Sequence, residues 1–220
     1  WKKNGSQTDC TVLFVGNKMK VELEDVMFWM DAIRNSDDQY RTLESFWKGQ
    51  LRSKVWLIEN LACYTSQYPS KIVVHGGWNG VLSSLLFNSV IAIKHITSID
   101  IDETCKETAR TICKNQEMEG KFTALTEDMC KFEYNADIVL NTSCEHITQE
   151  QYEQWLSNVP DNALIVLQSN NYSELDEHIR CASSTEEFIT QSKLDVSFID
   201  ELELPLYTRY MIIGRKCSTH

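Results

Sequence analysis

A β-branched run, Lys71-Ile-Val-Val-His75, ends in the turn Gly76-Gly77-Trp78-Asn79-Gly80, and the acidic segment Ser98-Ile-Asp-Ile-Asp102 follows about twenty residues on. A glycine-rich turn lets a ligand lie against bare backbone. A carboxylate at the end of the next strand accepts hydrogen bonds from both hydroxyls of a ribose. Together they point to a nucleoside-containing cofactor. Asp100 and Asp102 compete for the ribose role, with Asp102 alternatively capping a helix that begins near Glu103. Asn141-Thr-Ser-Cys-Glu-His146 holds a second concentration of functional groups. Asn141, at the C-terminal end of an expected strand, is placed to contact cofactor or acceptor, because ligands of open α/β sheets bind there. Glu145 or His146 can orient or deprotonate a hydroxyl or amine. Cys144 between them invites a nucleophile–base reading, but three adjacent residues do not converge on one substrate, so Cys144 is read as semi-buried and unreactive.

The elements that must position these groups alternate from Lys71 onward. Strands are expected over Ile72–His75, Ile96–Ile101, Phe122–Leu125, Asp137–Asn141 and Ala163–Gln168, and helices over Val81–Phe87, Glu103–Gln116, Gln149–Val159 and Glu174–Arg180. Such alternation builds a parallel sheet covered by helices on both faces. A helix over Ser184–Ser192 then precedes two consecutive strand-like runs, Leu194–Leu204 and Leu206–Arg215, joined near Pro205. A tight connection makes that pair antiparallel, so the sheet is expected to be mostly parallel with one reversed strand near its edge. Residues 1 to about 68 read as helical, with a short strand over Thr8–Val15 before them. Val26, Trp29, Met30 and Ile33 recur at helical spacing, as do Leu51, Val55, Ile58 and Ala62. Tyr68-Pro69 closes the segment, since the residue before proline is pushed away from helix. Trp29, Trp47 and Trp56 are read as core, with one or two able to line a pocket. Arg52 and Lys54 are read as a solvated helix face. Tyr207 and Arg209 either border the cleft or serve the structure.

The 220 residues suffice for one sizeable core, and 42% apolar with 24% charged residues is a globular composition. No run of about 18 uncharged apolar residues occurs, so no membrane span is expected. The first residues show no signal-peptide pattern, and Trp1 in place of Met suggests that the numbering starts inside a longer chain. None of the eight cysteines forms a Cys-x-x-Cys pair or a cysteine–histidine cluster of zinc-finger spacing. They are read as reduced thiols in a cytoplasmic setting, with no metal site. A net charge of −11 disfavours nucleic acid as partner.

With these elements placed, the chain resembles the class I S-adenosylmethionine-dependent methyltransferases over roughly residues 71 to 216. The resemblance implies a Rossmann-like seven-stranded sheet with an antiparallel last strand, helices on both faces and an N-terminal helical cap. Residues 1–68 would be the cap and 69–220 the cofactor-binding domain. His75-Gly76-Gly77-Trp78-Asn79-Gly80 looks like the loop beneath the methionine part of the cofactor. Two departures stand out: Val74 or His75 replaces the usual acid before the loop, and Trp78 replaces a glycine within it. Trp78 then either packs as core or lines the acceptor pocket. Asp100 and Ile101 match the ribose-binding segment. Asp128 and Met129 look like the adenine-binding loop, and Asn141 to His146 resemble the segment facing the transferred methyl. The implied activity is methyl transfer from S-adenosyl-L-methionine to a small-molecule or protein acceptor. The alternative is a methyltransferase-like subunit that binds cofactor or partner without catalysis. Asn141, Glu145 and His146 are the catalytic candidates.

Overall fold

Alternation along each strand decides which layer its side chains join. Ile138 and Leu140, Leu164 and Val166, and Met211 and Ile213 belong to one buried cluster, whereas Val139, Ile165 and Ile212 belong to the other. A sheet sorted in this way is buried on both faces and needs a helical layer on each. The computed structural model describes residues 19–217, so the strand expected over Thr8–Val15 lies outside the described residues.

Seven strands, β1 (Ser70–His75), β2 (Ile93–Asp100), β3 (Phe122–Thr126), β4 (Ile138–Asn141), β5 (Leu164–Asn170), β6 (Leu194–Glu203) and β7 (Thr208–Lys216), form one sheet. Their order is β3-β2-β1-β4-β5-β7-β6. β1 to β5 pair in parallel, while β7 runs antiparallel to both β5 and β6. The reversal arises at Pro205, where Leu204 N–H donates to the Tyr207 carbonyl at 2.9 Å.

Helices α1 (Leu23–Asn35), α2 (Gln39–Glu44) and α3 (Lys48–Ala62) precede the sheet, and α4 (Val81–Phe87) and α5 (Thr104–Ile112) share their layer. Ala32, Leu57, Ile58 and Leu61 join the sheet residues in one cluster, so the N-terminal helices share their core with the sheet. The stripe that α3 buries is Gly49, Ser53, Leu57, Ile58 and Leu61, rotated from the expected Leu51–Val55–Ile58–Ala62 face. Ser53 accounts for the rotation, since its hydroxyl donates to Gln168 Oε1 at 3.2 Å and pulls that face onto β5. On α1, Val26 and Met30 remain exposed.

The helix expected over Glu103–Gln116 is two, α5 and α6 (Lys114–Met118), broken at Cys113 with φ −105 and ψ 31. On the opposite face lie α7 (Gln149–Asn158) and α8 (Thr185–Ser192), started by the Thr148–Gln151 capping box and by Ser184. The helix expected over Glu174–Arg180 does not form, and the segment is irregular. Its polar groups are engaged elsewhere: the Tyr172 carbonyl accepts from His178, the Glu177 carbonyl from His146, and Arg180 N–H donates to the Glu145 carbonyl. None of the described helices is long and apolar enough to cross a membrane.

Candidate functional site

The C-terminal ends of β1, β2 and β4 open onto a cleft of about 790 Å³, walled on one side by α3. β1 delivers the chain into a loop where Gly76, Trp78 and Gly80 all have positive φ (60, 45 and 78). Trp78 thus adopts the backbone of the glycine it replaces, a conformation costing about 1–3 kcal/mol for a non-glycine residue. Its N–H is held by Asp100 Oδ2 at 2.8 Å, which stabilises the strained turn. Gly77 runs so close to β2 that a Cβ there would meet Ser98 Oγ at 2.0 Å. The half-buried Trp78 lines the cleft.

Asp100 Oδ1 accepts a second backbone bond, from Asp102 N–H at 3.0 Å, so both oxygens of the carboxylate are fixed at the cleft wall. Each oxygen keeps a further lone pair for a ligand. Asp102 also lines the cleft, but its Oδ1 accepts the Thr104 N–H and hydroxyl at 2.9 and 2.7 Å, and Arg41 pairs with it at 2.6 Å. Those bonds hold its carboxyl below the usual range, the Thr104 hydroxyl contributing most. Asp102 is therefore engaged by Thr104, the first residue of α5, and by Arg41, which leaves Asp100 as the freer acceptor; the N-cap position itself is Glu103.

Beyond Asp100 the cleft runs past Ile101, 77% exposed at the rim, to Asp128 and Met129 after β3. Asp128 Oδ1 accepts Cys130 N–H at 2.9 Å, and this bond with the nearby Lys131 depresses its carboxyl. An exposed isoleucine beside a half-buried methionine and a fixed carboxylate suits a flat, partly polar ring. Asn141 is fully buried at the end of β4, donating to Met129 Sδ at 3.8 Å and accepting Ser143 N–H at 3.1 Å.

His75 departs from the expectation. It is absent from the cleft lining and fully buried on the α7 face, ringed by Phe132, Tyr134 and Trp155. Strand alternation explains this: Val74 faces the α3–α5 layer, so His75 must face the other. Its Nε2 lies 2.5 Å from the Tyr134 hydroxyl, and burial lowers its pKa to about 3. The folded chain thus excludes a proton that the unfolded chain binds below its ordinary value near 6.5. The sign is that of a depressed group: stability is full above pH 6.5 and falls on acidification, by about 2 kcal/mol at pH 5. Urea unfolding at pH 7.5 and 5 should show that loss, and His75→Leu should remove it.

Cys144 is fully buried, and desolvation pushes its thiol up to about 12, which excludes it as a nucleophile at neutral pH. Glu145, 2% exposed, accepts Asn170 Nδ2 at 2.6 Å and Arg209 Nη1 at 2.8 Å, both on Oε1. His146 is exposed, its Nδ1 3.2 Å from the Glu177 carbonyl oxygen. Glu145, His146 and Asn141 all line the cleft.

Two cleft residues, Lys54 and His178, and the pairing of Arg209 with Glu145 differ from or go beyond what the sequence indicates. Lys54 sits in the cleft wall rather than on a solvated face, and burial followed by repulsion from Arg209 brings its amine down to about 7. Near neutral pH it can accept a proton. Arg209 is the buried partner of Glu145, and His178 faces His146 with ring centroids 4.7 Å apart. Nothing local in the sequence marks these pairings, which join β7 and the 171–184 loop to the segment after β4. Of the tryptophans, Trp29 and Trp56 pack on the core, while Trp47, 44% exposed, lines the cleft.

No protein-family model matches the sequence, and no curated protein matches it in sequence. In structure the chain is similar to magnesium protoporphyrin IX methyltransferase (ChlM) from Synechocystis PCC 6803 with bound SAH. That match has a TM-score of 0.62 and 12% identity, over 89% of this chain and 95% of that one. It is similar to N-methyltransferase NodS from Bradyrhizobium japonicum WM9, with TM-score 0.60, 11% identity and coverage of 77% and 97%. It is also similar to MtNAS in complex with MTA and tNA, with TM-score 0.60, 15% identity and coverage of 88% and 70%. At such identities the fold is what is shared.

Proposed function

We propose that this chain, which has the class I S-adenosylmethionine-dependent methyltransferase fold, binds S-adenosyl-L-methionine in the β1–β2–β4 cleft and transfers its methyl group to a small-molecule or protein acceptor. The observation that carries the reading is Asp100, locked by Trp78 N–H and Asp102 N–H with lone pairs left for a ribose. The neighbours with bound SAM or SAH support the choice of nucleoside. The adenine would lie between Ile101 and Met129 with Asp128 at its exocyclic amine, and the methionine tail would rest on Gly76 to Gly80.

The sulfonium methyl is already activated, so the protein's main task is to align acceptor, methyl and sulfur. Asn141 and Glu145 sit on the cleft wall beside the expected position of that methyl. Lys54 or His146 can take a proton where the acceptor must lose one. Isothermal titration calorimetry of the purified protein should show one equivalent of S-adenosylmethionine and of S-adenosylhomocysteine binding. Failure of both to bind at millimolar concentration ends the proposal. The non-catalytic alternative predicts the same binding but no radiolabel transfer to any acceptor.

A further inference from the structure

We propose that Glu145, His146 and His178 form a binding site for a divalent transition-metal ion in the cleft, beyond β4 and two strands across the sheet from Asp100. A carboxylate oxygen of Glu145 and one nitrogen from each ring lie within 4.8 Å of one another. Tetrahedral ligand atoms about 2.0–2.2 Å from a common ion are about 3.3–3.6 Å apart. The set therefore closes on a metal with side-chain shifts below an ångström.

Two further observations point to a ligand rather than to a chance cluster. The first is the hydrogen bonding of the two rings. Nδ1 of His146 faces the Glu177 carbonyl oxygen at 3.2 Å, and Nδ1 of His178 faces the Tyr172 carbonyl oxygen at 2.5 Å. A carbonyl only accepts, so Nδ1 carries the proton in each ring and Nε2 presents a lone pair. That is the arrangement in which metal-bound histidines are held by backbone carbonyls. The 171–184 loop forgoes its expected helix to provide both carbonyls. The second is Glu145 itself. Arg209 and Asn170 both bond Oε1, and Oε2 is buried without a hydrogen-bond partner among the described residues. A carboxylate oxygen left bare in a side chain only 3% exposed is an unmet acceptor, costly unless something occupies it. A cation held with the two Nε2 lone pairs would meet it.

Two imidazoles and one carboxylate select borderline ions such as Zn²⁺, Fe²⁺, Co²⁺ or Mn²⁺ over Mg²⁺, which favours all-oxygen sites. Three protein ligands leave coordination positions open, and His146 is exposed to the cleft. The open positions would take an oxygen or nitrogen of the molecule that enters there, a phenol, enol or carboxylate being the fitting class.

Cobalt titration of the metal-free protein, without any adenosyl ligand, tests the site independently of methyl transfer. One equivalent of Co²⁺ should bind with visible d–d bands, be displaced by Zn²⁺, and resist the same concentration of Mg²⁺. His178→Ala and His146→Gln, each verified as folded by circular dichroism, should each weaken Co²⁺ by at least about 10-fold. No stoichiometric binding to the wild-type chain, or wild-type affinity in both variants, overturns the proposal.

Discussion

Asp100→Ala is expected to weaken S-adenosylmethionine and S-adenosylhomocysteine binding by about 100- to 10,000-fold. A carboxylate accepting from two ribose hydroxyls makes two charge-assisted bonds, each contributing about 1.5–3 kcal/mol. The sum, about 3–6 kcal/mol, spans about two to four decades at about 1.4 kcal/mol per decade. The same substitution frees Trp78 N–H from its 2.8 Å bond and leaves a tryptophan at φ 45 with less to hold it. Asp100→Asn separates the two effects. It keeps one carbonyl oxygen for the backbone but loses the charge, and should cost about 10-fold. Calorimetry with either ligand, alongside thermal melts to confirm folding, provides the comparison. Wild-type affinity in a folded Asp100→Ala protein would place the nucleoside elsewhere.

The sheet was readable because its strands obey simple chemistry. Short β-branched runs alternate with amphipathic helices, and Pro205 forces the one reversal. The Gly76–Gly80 turn and Asp100 were readable for a related reason: close backbone approach and a fixed acceptor leave residue-type signatures. Side-chain direction was less accessible. His75 adjoins the glycine turn in sequence, yet strand alternation buries it against Trp155 on the opposite face. Lys54 looked solvated because its helix carries polar residues on several faces, and only the packing of Ser53 on Gln168 turns it toward the cleft. The segment 174–180 has helix-compatible residues, but helix propensity is a weak prior against carbonyls captured by His146 and His178. The direction of His75 follows from strand alternation, whereas Lys54 and the 174–180 segment are set by partners distant in sequence, Gln168 and His146.

Arg209→Met should be the most destabilising single change in the cleft, by about 3–5 kcal/mol. The guanidinium donates to Glu145 Oε1 at 2.8 Å and to the Thr142 carbonyl at 2.9 Å, with the two side chains 8% and 3% exposed. Removing it leaves a buried carboxylate whose one remaining hydrogen-bond partner among the described residues is Asn170 Nδ2. It also unties β7 from the segment that carries Asn141 and Glu145. For a chain of this size, about 2–4 °C of melting temperature is lost per kcal/mol, so a drop of about 6–20 °C is expected. The companion Glu145→Gln/Arg209→Met removes the uncompensated charge and should recover most of the loss, because a missing ion pair costs less than half of one. Urea unfolding of wild type, single and double variants gives the coupling directly. If Arg209→Met falls within 1 kcal/mol of wild type, the pair is not what fixes Glu145. The position of that carboxylate in the cleft would then need another physical origin.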